Sequence, residues 1–191
     1  MLSYNEIKPK KIIMLDDEPW EVLTSQITKK SRQKASNQAK LKSMKTGKVV
    51  EKAFHQADSV KEADIIKKPI KYLYTNKGEF WFCEENDPSA RFILEESIIG
   101  DNSKFMKENT LVDALIFDTG DEEEIIGIKL PIKVDLKVVE APPNIKGNTS
   151  SGGDKKVILE TGAEVTTPLF IEAGEMIRVN TETGEYAERV N

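Results

Sequence analysis

One cysteine and one histidine in 191 residues leave little material for side-chain chemistry. A single Cys83 excludes an internal disulfide and suits a reducing compartment. With His55 as the lone imidazole, neither a metal cage nor a Cys–His nucleophile pair can be assembled, and both residues read as packed strand positions. No glycine-rich phosphate loop stands between a strand and a helix. The carboxylates are plentiful, but they sit at turn tips and on polar strand faces, where charge is solvated. No catalytic centre, metal or cofactor is therefore expected. No apolar run approaches the length needed to cross a bilayer. The opening MLSYNEIKPKK has neither an apolar export core nor a small-residue cleavage site, so the expected location is cytoplasmic.

Acid is missing from one stretch. Between Glu21 and Glu51 there is no Asp or Glu, while Lys29, Lys30, Arg32, Lys34, Lys40, Lys42, Lys45 and Lys48 supply eight cations. Such a cluster repels itself, and a polyanionic partner is the reason to keep it. The split extends along the chain. Residues 1–63 carry 13 Lys/Arg against 8 Asp/Glu, net +5, and residues 64–191 carry 15 against 25, net −10, within an overall −5. A basic head on an acidic body points to RNA binding at one end.

Long helices are also missing. Short runs rich in Val, Ile, Phe and Tyr recur between turn signals, as in small β-barrels. Lys11–Leu15, Glu21–Thr28, Gln38–Lys45 and Val49–Phe54 read as strands of an SH3-like barrel, with turns at Asp16-Asp17 and Thr46-Gly47 and the basic loop Thr28–Lys40 between the middle two. Polar Ala57–Asp64 marks the first boundary. Ile70–Tyr74, Glu79–Cys83, Arg91–Leu94, Leu111–Phe117 and Glu124–Leu130 form a second barrel, with a hairpin turn at Asn76-Lys77-Gly78 and some helix within Glu95–Lys107. Lys133–Val138, Lys155–Leu159, Glu164–Ile171 and Met176–Val179 form a third, of oligonucleotide-binding (OB) type. Its Gly/Ser-rich loop runs over Asn144–Asp154. The expected domains are 1–63, 64–129 and 130–191, and no repeat in sequence relates the second to the third.

Several segments resemble one family. KKVILETGAEVTTPLFIEAGE (Lys155–Glu175) is similar to the diagnostic stretch of bacterial elongation factor P, with Lys155, Gly162, Pro168 and Gly174 in register and Thr167 where valine is usual. VNTETGEYAERV (Val179–Val190) resembles that family's closing segment and IGDNSKFM (Ile99–Met106) its second domain. Pro19–Val22 and TGKVVEKAF (Thr46–Phe54) resemble its first. The match runs in order through the whole chain.

The resemblance implies an all-β chain of three consecutive barrels, an SH3-like (KOW-like) N-terminal domain and two OB-fold domains, in an elongated tRNA-like shape. It implies a monomeric translation factor rather than an enzyme, one that binds the 70S ribosome beside the peptidyl-tRNA and relieves stalling at consecutive prolines. Arg32 aligns with the family's loop-tip position, where members carry an extended lysine or a rhamnosylated arginine. A glycosyltransferase acting on Arg32 is then an expected partner. Ser31 and Gln33 replace the flanking glycines, and Lys29, Lys30 and Lys34 crowd the tip. With Lys40 and Lys42 these residues are the expected contacts to the tRNA CCA end and acceptor arm. Gly147, Asn148 and Thr149 match a loop that contacts the exit-site codon, with Asn148 replacing an acid. Tyr186 and Arg189 match residues that approach the tRNA, and Tyr186 equally suits barrel closure. Two rivals stay open: a paralogue on the same scaffold with other stalling motifs, and a general RNA-binding protein.

Overall fold

The computed structural model describes residues 1–29, 35–120, 122–143 and 153–190. The chain is nearly all β: β1 (Leu2–Ser3), β2 (Ile12–Leu15), β3 (Glu18–Thr28), β4 (Ser36–Ser43), β5 (Val49–His55), β6 (Ser59–Val60), β7 (Ile65–Asn76), β8 (Glu79–Glu84) and β9 (Arg91–Leu94). A single-turn helix α1 (Glu96–Ile99) and a 3-10 segment (Gly100–Phe105) follow, then β10 (Leu111–Asp118), β11 (Glu123–Lys129), β12 (Lys133–Glu140), β13 (Asp154–Leu159), β14 (Glu164–Pro168), β15 (Met176–Asn180) and β16 (Glu185–Val190). By contact, the chain divides into two compact units, Met1–Lys68 with Ala114–Gly127, and Pro69–Asp113 with Ile128–Asn191.

In the first unit β2, β3, β4 and β5 pair in that order, and β1 pairs with β6. The Asp16-Asp17 turn closes β2 on β3 with Leu15 opposite Glu18. Both aspartates have positive φ, 51° and 61°, as a two-residue turn between twisted strands requires, and Asp tolerates that region better than most residues. Leu2, Ile7, Ile13, Val22, Ala39, Leu41, Phe54 and Val60 make the core. Fully buried Asn37 joins them because its amide nitrogen donates to the Tyr4 and Ile7 carbonyls at 2.7 and 2.9 Å. That bond pair fastens the N-terminal turn to β4.

Strands β7 to β11 order as β11-β10-β7-β8-β9, and β12 to β16 as β14-β13-β12-β15-β16. Numbered within each sheet, these are 5-4-1-2-3 and 3-2-1-4-5, one permutation read from opposite ends. That is the strand order of the OB barrel, and it relates two segments in which no repeat of residues is visible. In the C-terminal sheet β14 comes against β16, which closes the barrel over Val134, Leu136, Val138, Val157, Leu159, Ile171, Ile177 and Val179. In the β7–β8 hairpin Lys77 and Gly78 both take positive φ, 52° and 85°. Glycine at the second position makes this two-residue turn cheap.

Three expectations need correction. β7 begins at Ile65 rather than Ile70, because its first five residues are mostly exposed and carry no inside–outside alternation to read. β14 stops at Pro168, and Ile171, expected as its last residue, is instead a fully buried loop residue whose N–H donates to Pro168 O at 3.2 Å. β16 is a strand that the sequence does not announce, since EYAERV lies largely exposed and polar against β15.

Candidate nucleic-acid interface

The longest arm in the first unit is the β3–β4 hairpin. Its register runs from Trp20 opposite Ser43 to Thr28 opposite Ser36, with an irregularity at Val22/Thr24. The two hydroxyls of the last pair lie 3.5 Å apart. β4 alternates strictly: Asn37, Ala39, Leu41 and Ser43 are buried, while Gln38, Lys40 and Lys42 face outward. β2 accompanies β3 only as far as Glu21, so Thr24–Thr28 runs on with β4 as its paired neighbour. Ile27 shares the inward face with Asn37, yet is 52 % exposed. On the other side β5 flanks β4 to its end, with core Phe54 opposite Asn37 and His55 opposite Ser36, so the paired strands stop level with the core and the seven residues 29–35 connect them.

Pairing alters the charge picture. Lys42 lies opposite Glu21 on one side, and Lys40 opposite Glu51 on the other. Lys45 Nζ is 3.0 Å from Glu124 Oε2. The acid-free stretch is thus acid-free along the chain only, because the neighbouring strands return carboxylates to the base of the hairpin. At the start of the connection Lys29 is exposed and opens the rest of the run. Lys30, Ser31, Arg32, Gln33 and Lys34 lie outside the described residues, as do Gly147, Asn148 and Thr149.

Tyr186 and Arg189 come together on β16, opposite the core residues Val179 and Ile177. Tyr186 is half-buried and packs against the C-terminal core, so its ring helps close that barrel. Arg189 donates from Nη1 to Glu175 Oε1 at 3.2 Å, with its guanidinium 6.0 Å from the ring of Phe170. Phe170 is 57 % exposed, and nothing periodic in PLFIEAGE marks it out. A second ion cluster was equally invisible in sequence. Arg178 holds Asp135 through Nε and Nη2 at 2.6 and 2.9 Å and reaches Glu188 at 2.9 Å. Arg178's hydrogen bonds keep the Asp135 carboxyl below its ordinary pKa, despite some opposing desolvation.

Cys83 is buried in β8, as read from sequence. His55 is not packed: it is exposed at the end of β5, and its backbone N–H donates to Asp58 Oδ2 at 2.7 Å. Among the described residues no group of three or more His, Cys, Asp or Glu could hold a metal, and no helix is long and apolar enough to cross a membrane.

Residues 3–60 match the family described as elongation factor P (EF-P) KOW-like domain, and residues 134–189 match elongation factor P, C-terminal. An elongation factor P from Carboxydothermus hydrogenoformans is 36 % identical over 190 residues, covering 100 % of both chains. One from Moorella thermoacetica is 36 % identical over 189 residues, 99 % of this chain and 100 % of the relative. Among solved structures, eukaryotic translation initiation factor 5A from Methanococcus jannaschii aligns with TM-score 0.45 at 11 % identity, over 68 % of this chain and 90 % of that one.

Proposed function

The chain belongs to the elongation factor P family and is a translation factor rather than an enzyme; from that premise we propose that it works in the cytoplasm, on a ribosome stalled at consecutive prolines. In this reading the β3–β4 arm carries Arg32 to the CCA end of the peptidyl-tRNA. The tip holds that end in reactive geometry. Peptide-bond formation accelerates through orientation, with the ribosome supplying the reacting groups. Proline is a poor substrate there because its ring fixes φ and limits how chain and nucleophile align.

The observation that carries the proposal is the arm itself. Its strands pair up to Thr28 and Ser36 at the edge of the core, and the residues joining them hold Lys29, Lys30, Arg32 and Lys34 without a single acid. A guanidinium suits that position, since its planar fork can grip phosphate or a base edge in two bonds at once. A sugar attached to Arg32 by a glycosyltransferase would extend its reach. Gly147, Asn148 and Thr149 are assigned to the exit-site codon, and Arg189 to the tRNA beside it. The three barrels 1–63, 64–129 and 130–191 would act as a monomer alongside the tRNA.

The deciding experiment is Arg32→Ala in a polyproline reporter. Rescue should be lost while the melting temperature stays close to that of the parent, as expected of a charged position in the connection between two strands. Rescue at the parental level would count against Arg32. Intact-mass analysis of the native protein reads the adduct directly. The Ser31 and Gln33 flanks favour one further outcome, a paralogue with another range of motifs, for which ribosome profiling of a deletion strain would show pauses away from proline runs.

A further inference from the structure

The sheet formed by β7, β8 and β9 sorts its aromatic residues onto two faces. Tyr72, Phe80, Phe82 and Phe92 pack on one, with ring centroids 5.4 to 6.4 Å apart, and Tyr72 and Phe82 are buried there. Trp81, between Phe80 and Phe82 in sequence, belongs by the pleat to the other. There Tyr74 stacks on it, centroids 6.1 Å apart and planes inclined by 23°. In register with Trp81 on β9 is Ile93, 43 % exposed. One row further along that face, Cys83 sits between Lys71 and Arg91. Arg91 is exposed, and its Nε donates to Pro88 O at 3.3 Å, which sets the plane of the guanidinium.

We infer that this outer face, with Tyr74 and Trp81 stacked, Ile93 beside them and Lys71 and Arg91 one row away, is a stacking platform for single-stranded RNA. Three physical features favour that occupant. A base needs a flat π-surface that the core does not use, and the Tyr74–Trp81 pair is half-buried rather than enclosed. A phosphate needs cations within a nucleotide's reach of the base. Strand spacing puts Lys71 and Arg91 roughly 10 Å apart, flanking the next row. The acid on this face of β8, Glu79, stands on the far side of Trp81 from them. These are the first three strands of an OB order, whose second and third strands form the usual oligonucleotide face. Duplex RNA keeps its bases stacked on each other and cannot use such a platform.

The assignment does not rest on the hairpin reading, and the test separates the two. Trp20→Phe leaves Trp81 as the single tryptophan. The substitution breaks no hydrogen bond, since the buried Trp20 indole N–H has no partner. Titrating that protein with a 12-nucleotide oligouridylate should quench Trp81 emission saturably, and binding should weaken as salt rises. In the same background, Tyr74→Ala should weaken binding by about tenfold. Arg91→Ala, a surface change that spares the fold, should weaken it severalfold and flatten the salt dependence. Lys40→Glu with Lys42→Glu, on the hairpin, should leave the quench as it was. The inference is overturned if emission does not respond, if a duplex of equal length binds as well, or if Arg91→Ala changes nothing. A response to ribosomal protein without one to the oligonucleotide marks a protein-docking face and overturns it equally.

Discussion

Asn37 shows how much can depend on one amide. It occupies an inward position of β4 that its neighbours Ala39 and Leu41 fill with hydrocarbon, and its nitrogen satisfies two carbonyls of the N-terminal turn. Asn37→Ala should strand those carbonyls and cost about 1–3 kcal/mol, read as a lowered urea midpoint for the first unit. Asp135 is a residue of a different kind, held on the surface by Arg178. Its carboxyl is depressed in the folded state, so the unfolded chain binds the proton more tightly. The stability it adds is then present above the unfolded pKa and drains away as pH falls through the lower folded value. Denaturation from pH 6 down to pH 2 should show that loss, and Asp135→Asn should flatten the acid limb. An unchanged limb would mean that solvent already screens the pair.

Among elements, the hairpins divide into those whose turns only build the fold and the one whose connection carries the charge. The signature stretch Lys155–Glu175 belongs to the first kind. Gly162 and Gly174 take positive φ of 81° and 94°, Val157 is buried, and Pro168 ends β14. Buried Thr167, standing where valine is usual, keeps its hydroxyl satisfied by donating to Lys155 O at 3.4 Å. The stretch that carries the family resemblance is here mostly barrel geometry. The β3–β4 arm is the other kind. Replacing residues 29–35 with Asn-Gly would close Thr28 on Ser36 through a two-residue turn. The protein should stay folded, giving up only the burial of Ala35, and lose polyproline rescue entirely. Rescue retained by that truncated arm would remove the hairpin from the mechanism.

At the scale of the whole molecule, charge is distributed against its own sum. A chain of net −5 concentrates +5 in its first 63 residues, and folding narrows that further: strand pairing sets Glu21 and Glu51 against Lys42 and Lys40, and an ion pair sets Glu124 against Lys45. Ribosome affinity should therefore fall as salt rises. The slope should drop more for Lys29→Ala with Lys30→Ala than for Lys40→Ala with Lys42→Ala, measured by co-sedimentation at several ionic strengths. Within the second unit, Phe105 of the 3-10 segment packs against the C-terminal core. Lys107 meets Glu160 at 2.9 Å, and Thr161 Oγ1 donates to Lys104 O at 2.6 Å. Burial pushes the Glu160 carboxyl up, but hydrogen bonds from Lys107 and the Lys137 N–H outweigh it, and its pKa ends below the ordinary value. These contacts tie the segment to the barrel it meets. Phe105→Ala should cost roughly 2 kcal/mol, below the figure for a fully buried ring. It should broaden or split the calorimetric transition of this unit.

The amino-acid sequence by itself determined the all-β class, most strand positions and the family. Those rest on local properties: period-two alternation in Gln38–Lys45, paired turn residues at Asp16-Asp17 and Lys77-Gly78, and motif residues in order. It also determined where cations accumulate along the chain. Tertiary structure decided what stands across from them, because Glu21, Glu51 and Glu124 are separated from Lys42, Lys40 and Lys45 along the chain and become their neighbours only on folding. For the same reason it alone disclosed that the two five-stranded sheets share one strand order. Strand order is set by backbone hydrogen bonding and does not require similar side chains. Polar β16 and the first half of β7 stayed hidden because an exposed strand is held by its backbone partner, and that partner leaves no mark on the strand's own residues.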